Sequence, residues 1–209
     1  MSTLAGQSYF YLASRSPRRR ELLNQIGVDH QVLTQRIKAE RGPDVNEDPL
    51  PGEKPRDYVM RVCRDKAENG WMRVVQRKLP VRGVLAADTT VCIGDEILGT
   101  PADAAQAADF LARLSGREHE VLTAIAFKLG ERMETELSVT AVRFREISAA
   151  EIARYVASGE PMDKAGAYGI QGRAGAFVAE IRGSYSGVMG LPLHETALLL
   201  ARFGIGPLA

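Results

Sequence analysis

Arg15, Arg18, Arg19 and Arg20 crowd one short segment, Leu12-Ala13-Ser14-Arg15-Ser16-Pro17-Arg18-Arg19-Arg20. A guanidinium is always charged, and its planar fork matches phosphate oxygens. Residues 9–12 form an aromatic, apolar run of strand type. Ser16 followed by Pro17 reads as an N-cap with proline at the first helical position. Leu22, Leu23 and Ile26, closed by Gly27, predict a short amphipathic helix. The arginines therefore fall in the first helical turn, where the macrodipole is positive and repels cations. An anion seated among them and the free backbone N–H groups removes that conflict, so strand, turn and helix start describe a phosphate site. Taken alone, the segment also fits a solvated basic helix start.

Carboxylates and one lysine extend the set. Asp88 follows the apolar strand segment Val84-Leu85-Ala86-Ala87. The carboxyl end of a buried strand is a usual ligand position in an α/β sheet. A turn or helix-cap aspartate is the alternative, weakened because Val91-Cys92-Ile93 continues as strand. Glu47 lies in the acidic run Asp44-Val45-Asn46-Glu47-Asp48, where a solvated loop is the alternative. Lys66, with Arg61 and Arg64, lies on a helix predicted over 56–76, where a charged solvent face is the default. Gly166, Gly169 and Gly172 bracket Tyr168 and Gln171. Glycine allows close backbone approach to a ligand, and the Gln171 amide offers both a donor and an acceptor; a tight turn is the alternative.

Other chemistries lack their residues. No GxxxxGK[ST] loop, post-strand GxGxxG or GxSxG elbow is present. His30, His119 and His194 are scattered, and Cys63 and Cys92 lack metal-ligand spacing. Arginines, a lysine and two carboxylates without a histidine or cysteine nucleophile point to metal-assisted phosphoryl transfer to water.

The elements that must position these groups follow from the pattern. The 209 residues are 45% hydrophobic and carry 27 basic against 26 acidic side chains. The near-balance gives no global field for nucleic acid or membrane, so any basic site is local. Two cysteines without pairing spacing predict free thiols in a reducing cytoplasm. No signal pattern or membrane-spanning apolar run is visible. Strands are predicted over 30–33, 81–87, 91–93, 96–98, 118–129, 133–144 and 177–181. Residues 34–55 predict a long polar loop of the kind that is functional or mobile. Pro101 opens a helix with Asp103 in its first turn and Gly116 as its stop. Ser148 and Glu151 form a capping box for a helix to about 158. A last helix spans 193–203. Strands alternating with helices, some joined by hairpins, predict an α/β fold with a mixed twisted sheet and flanking helices.

From Tyr11 to Phe203 the chain resembles the Maf family, nucleoside triphosphate pyrophosphatases related in fold to the inosine-triphosphate pyrophosphatases (Ham1). The resemblance rests on separate blocks in order: Leu12-Ala13-Ser14-x-Ser16-Pro17-Arg18-Arg19, Asp44-Val45-Asn46-Glu47, Asp65-Lys66-Ala67 and Ala87-Asp88-Thr89-x-Val91. Asp163-Lys164-Ala165-Gly166-Ala167-Tyr168-Gly169-Ile170-Gln171-Gly172, Gly183-Ser184-Tyr185 and Gly190-Leu191-Pro192-Leu193 complete it. It implies one domain over 1–209 with two lobes around a cleft. It makes Asp88 the catalytic proton acceptor and a metal ligand with Glu47. Ser14, Arg18, Arg19 and Lys66 become phosphate ligands. Arg18, Thr89 and Gln171 match the branch preferring dTTP and UTP. The cofactor implied is a divalent cation, Mg²⁺ or Mn²⁺.

The chain departs from the family pattern at Thr100, where lysine is usual, and the loop from Thr34 to Pro43 is longer. The expectation is a cytoplasmic enzyme converting dTTP or UTP to the monophosphate and pyrophosphate, with no nucleic-acid or membrane partner and with a homodimer left open. A nucleotide-binding regulator with weak turnover, favoured by Thr100, and a 7-methyl-GTP pyrophosphatase are the alternatives.

Overall fold

A computed structural model describes residues 9–33 and 45–206. Residues 34–44, the first part of the loop expected over 34–55 and including Asp44, lie outside those residues. The described strands form one seven-stranded sheet in the order β2-β1-β3-β5-β6-β7, with β4 paired to β3. β1 (Phe10–Leu12), β2 (His30–Val32) and β3 (Val84–Ile93) run parallel to one another. β4 (Glu96–Leu98), β5 (Glu118–Leu129), β6 (Arg132–Phe144) and β7 (Val178–Arg182) each pair antiparallel with their neighbour. The mixed α/β sheet expected from the sequence is therefore present. Among the described residues no helix is long and apolar enough to cross a membrane.

The helices follow the apolar spacing. α1 (Pro17–Gln25) buries Leu22 and Leu23. α2 (Pro55–Gln76) buries Val59, Val62, Cys63, Ala67 and Val74, at intervals that keep them on one side. α3 (Ala104–Leu114) buries Ala107, Phe110, Leu111 and Leu114. α4 (Ala149–Ala157) carries the expected capping box of Ser148 and Glu151. α6 (Leu193–Ala201) closes the fold.

The helices divide the core. α2 covers one face of the sheet, over Val84, Ala86, Cys92, Leu122 and Ala124. On the opposite face α1 and α6 cover Leu85, Ala87, Ile125 and Phe127. Further along that face, α3, α4 and three 3₁₀ turns cover Val91, Val121, Val142 and Phe144. Each fully buried leucine or phenylalanine contributes roughly 1.5–3 kcal/mol, so these patches outweigh local propensity in fixing the helices. Both cysteines are buried and unpaired.

Two expectations need correction. Asp88 does not end a strand: β3 runs unbroken through it to Ile93, because β5 pairs with β3 along the whole stretch. Pro101 precedes α3 without opening it. Asp103 is the N-cap, its carboxylate accepting from the Gln106 N–H at 2.8 Å, and an aspartate acceptor is a stronger start than proline. Ser16 is the N-cap of α1 with proline at the helix start, as expected, and its side chain makes no cap hydrogen bond. A one-turn helix, α5 (Tyr185–Val188), was not anticipated; its pattern is too short to show a period.

Candidate active site

The site opens where the edge of β3 loses its neighbour. β1 pairs with β3 as far as Leu12 opposite Leu85, with one more bond from the Ala13 N–H to the Leu85 carbonyl at 2.8 Å. β4 takes up the same edge from Val91 onward. Between them, on that edge, no described strand lies beside residues 86–90, while β5 continues on the other edge, and the chain after β1 turns through Ser14 into α1. Asp88 lies in the middle of this gap. It is buried all the same, on the face covered by α2.

From α2, the Lys66 ammonium donates to Asp88 Oδ1 at 2.7 Å and to Glu47 Oε2 at 2.8 Å. One cation thus bridges the two expected carboxylates, and neither Glu47 nor Lys66 is a plain solvated charge. The segment carrying Glu47 is held by α2. Tyr58 donates its hydroxyl to the Glu47 carbonyl at 2.9 Å. Arg61 donates to the carbonyls of Asn46 at 3.0 Å and Asp48 at 3.1 Å, and grips the Glu53 carboxylate at 2.6 and 2.8 Å. Burial, then the nearby charges of Asp88 and Glu47, push the Tyr58 hydroxyl up to about 12. The Cys63 thiol behind β3 is likewise pushed up to about 12, by burial and then Asp88, so it is an inert core thiol.

Arg19 reaches the gap from the other face. Its Nε donates to the Gly190 carbonyl at 2.7 Å, Nη1 to Ser14 Oγ at 3.2 Å and Nη2 to Thr89 Oγ1 at 3.2 Å. Burial lowers its pKa, opposed by the Asp88 charge. Gly190 has φ +113°, a backbone conformation that calls for glycine. Ser14 Oγ accepts from Arg19 and from the Ser16 N–H, which leaves its own proton free for a ligand. Arg18 lies 3.5 Å from Asp163. Lys164 and Arg18 hold the Asp163 carboxyl below its ordinary range, outweighing burial, which acts the other way. Arg15 and Arg20 are exposed.

The glycine-rich segment packs onto the end of β3. A Cβ on Gly166, at φ +66°, would meet Val91 at 2.8 Å, and the Gly166 N–H donates to the Gly99 carbonyl at 3.1 Å. Thr100, next in sequence, is exposed. Tyr168 is buried beneath, its hydroxyl 2.8 Å from His119 Nε2. Burial lowers His119 to about 4. Gln171 is exposed and follows these anchors. Glu160 fixes the next turn by accepting from the Arg173 N–H at 3.1 Å. So Asp88, Glu47 and Lys66 come together on one face, and Ser14, Arg19 and Thr89 on the other. Arg18 is tied to the glycine-rich segment, and Gln171 lies at that segment's far end.

Two carboxylates sharing a lysine are not an all-protein metal cage. Among the described residues no group of three or more His, Cys, Asp or Glu could hold an ion. The donor set would suit a hard divalent cation such as Mg²⁺ or Mn²⁺, for which one or two carboxylates suffice where substrate phosphates and water supply the remaining ligands.

Sequence reasoning missed several participants. Tyr58 reads as part of an apolar helix stripe and Arg61 as solvent-facing; both hold the Glu47 segment. Thr123 and Gly187 carry no charge and no spacing that singles them out, and Gly190 figures only within a block of the resemblance with no role attached, yet all lie in the hydrogen-bonded surroundings of Arg19.

Comparison with known proteins gives the arrangement its kin. The model of the Maf-like protein family matches residues 9–203. A relative from Nitrosomonas europaea, named dTTP/UTP pyrophosphatase, is 55% identical over 205 residues, covering 98% of this chain and 99% of its own length. Relatives with the same name from Dechloromonas aromatica and Aromatoleum aromaticum are 57% and 56% identical; each match covers 95% of this chain, and 98% and 97% of theirs. A solved Staphylococcus aureus Ham1 structure is 14% identical over 65% of this chain and 71% of its own, with a TM-score of 0.44. With the family model spanning nearly the whole chain, and full-length relatives sharing more than half its residues, this protein belongs to the Maf family.

Proposed function

We propose that this protein is a dTTP/UTP pyrophosphatase, cleaving between the α and β phosphates to give the monophosphate and pyrophosphate. The observation that carries the reading is the Asp88–Lys66–Glu47 trio in the strand gap, faced by Arg19, in a chain whose near-full-length relatives bear that name. Asp88 takes the proton of the attacking water, a role open to a carboxylate held within hydrogen-bond reach. Asp88 and Glu47 would hold a divalent cation, which when bound neutralises the triphosphate and polarises the attacked phosphorus. An ammonium has three protons; Lys66 directs two at the carboxylates and keeps one for a phosphate oxygen. Ser14, Arg18 and Arg19 bind the phosphates and the charge that grows on the leaving pyrophosphate. Gln171 offers a donor and an acceptor to the edge of uracil or thymine; with Arg18 and Thr89 it sets the base preference.

The reading includes two lobes within one domain. On the α6 side, Leu85 and Ala87 belong to one apolar cluster and Val91 to another, with Thr89 between them. A reducing, cytoplasmic location agrees with two buried free thiols. The test is pyrophosphate release across the common nucleoside triphosphates with Mg²⁺, Mn²⁺ or EDTA. Fastest turnover of dTTP and UTP, abolished by EDTA, is expected. Preference for GTP or 7-methyl-GTP would overturn the base assignment, and binding without pyrophosphate release would leave a nucleotide-binding regulator.

A further inference from the structure

Thr123 lies on β5 directly opposite Thr89 of β3, and it is buried. Its hydroxyl is 2.7 Å from the Gly187 carbonyl and 3.0 Å from the Thr89 hydroxyl. A carbonyl can only accept, and a hydroxyl has one proton. The Thr123 proton therefore goes to Gly187, and Thr123 accepts the proton of Thr89. Thr89 in turn accepts from Arg19 Nη2. On the far side, the Gly190 N–H donates to the same Gly187 carbonyl at 2.9 Å, and the Gly190 carbonyl takes Arg19 Nε. The bonds close a ring: Arg19, Thr89, Thr123, Gly187, Gly190 and back to Arg19.

We infer that Thr123 is the positioning residue that fixes the Arg19 guanidinium for triphosphate binding, by committing the Thr89 proton inward and tying Thr89 to the turn that holds Arg19 Nε. The inference rests on the proposed reading of Arg19 as a phosphate ligand. It also fixes what Thr89 has to offer a nucleotide: one remaining oxygen lone pair and a methyl group, but no proton. The ring crosses the seam between the two apolar clusters of this face, with Ile125 and Phe127 on one side and Val121 on the other. No apolar side chain at position 123 could link them to Arg19. Polarisation along the hydroxyl relay from Arg19 through Thr89 and Thr123 strengthens the bonds of that arm.

Thr123→Val keeps the volume and removes the link. Gly187 retains the Gly190 N–H, and Thr89 is half-buried and can turn its proton to water, so the fold is expected to survive. The loss of one bond to the charged group's support should raise KM for dTTP about tenfold with kcat within about threefold, the scale of one hydrogen bond. Thr123→Ser should restore wild-type KM, and Thr123→Ala, which tolerates local repacking, should repeat the valine result. In an Arg19→Ala background, Thr123→Val should change kcat/KM by less than about twofold, because residues acting through one another are not additive. The same factor in both backgrounds, or a serine variant as impaired as valine, would overturn the inference. A second readout is independent of turnover. The Arg19 Nε–H resonance, assigned by its loss in Arg19→Lys, should shift or broaden in Thr123→Val and return in Thr123→Ser. An unchanged resonance would overturn the ring, and if wild-type protein fails to hydrolyse dTTP or UTP the same signal still decides it.

Discussion

Asp88→Asn separates chemistry from architecture at this site. The amide keeps the size of the carboxylate and can still accept from Lys66, now 2.7 Å away, but it cannot take a proton from water. Loss of a general base costs about 10²–10⁴ in rate, or roughly 3–5 kcal/mol of barrier at about 1.4 kcal/mol per tenfold. The fold should lose far less. Removing one member of a buried pair is ruinous, at roughly 3–5 kcal/mol, when the other charge is stranded. Lys66 is not stranded, because Glu47 holds it at 2.8 Å. The expected stability cost is therefore about 1 kcal/mol, the scale of one hydrogen bond, which for a chain of this size lowers Tm by about 2–4 °C. Single-turnover pyrophosphate release gives the chemical step, calorimetric titration with a non-hydrolysable dTTP analogue gives binding, and a thermal melt gives stability. The reasoning fails if kcat stays within about threefold of wild type, far inside the range for a lost base.

Lys66→Met leaves Asp88 and Glu47 facing each other without a cation, so Tm should fall, and adding Mg²⁺ should raise it by more than in wild type; equal Mg²⁺ shifts would refute the shared-cation picture. Arg19→Ala should weaken triphosphate binding about 10–100-fold, the scale for hydrogen bonds to a charged group, while Arg18→Ala, whose partner Asp163 is exposed, should cost less; matching losses for thymidine and dTTP would assign both to packing. Gln171→Glu should lower kcat/KM for dTTP and narrow the gap to purine triphosphates, as measured in side-by-side kinetics. His119 is held to about 4 by burial, whereas the unfolded chain binds that proton near pH 6.5. Stability should therefore be flat above that pH and fall as pH drops from about 6.5 to 4, because the unfolded state takes up the proton first; chemical denaturation of His119→Gln across that window should show a shallower fall.

The sequence carries the apolar periods that build α2, β3 and β5, and it carries the charged site residues, because charge and period both survive without knowledge of neighbours. It does not carry partnership. Arg61 and Lys66 look alike on a helix, as solvated cations four and nine residues after Asp57. Only the tertiary fold separates them: the chain before α2 brings Glu53 to the first and Glu47 to the second, and β3 brings Asp88 to the second. Strand continuity was misjudged at Asp88 because a carboxylate interrupts the apolar run, while the cross-strand register with Ala124 makes the run continuous. Thr123 was invisible for a related reason: a threonine in a strand is ordinary by propensity, and its role depends on a carbonyl 64 positions away.

The two faces of β3 divide the labour. Side chains alternate across a strand, so the neighbours Asp88 and Thr89 point to opposite faces of the sheet. Asp88 meets the Lys66 ammonium under α2, and Thr89 meets the Arg19 guanidinium under α1. A sheet continuous on both edges would keep these cations apart. At residues 86–90 one edge carries no strand among the described residues, so both could approach a ligand lying along it. On the proposed reading a triphosphate spanning that gap would be gripped from both faces, with Asp88 directed at the site of attack and Arg19 at the charge that leaves. The short β1, which lets go at Leu85, and the late arrival of β4 at Val91 are thus as necessary to the chemistry as the charged residues.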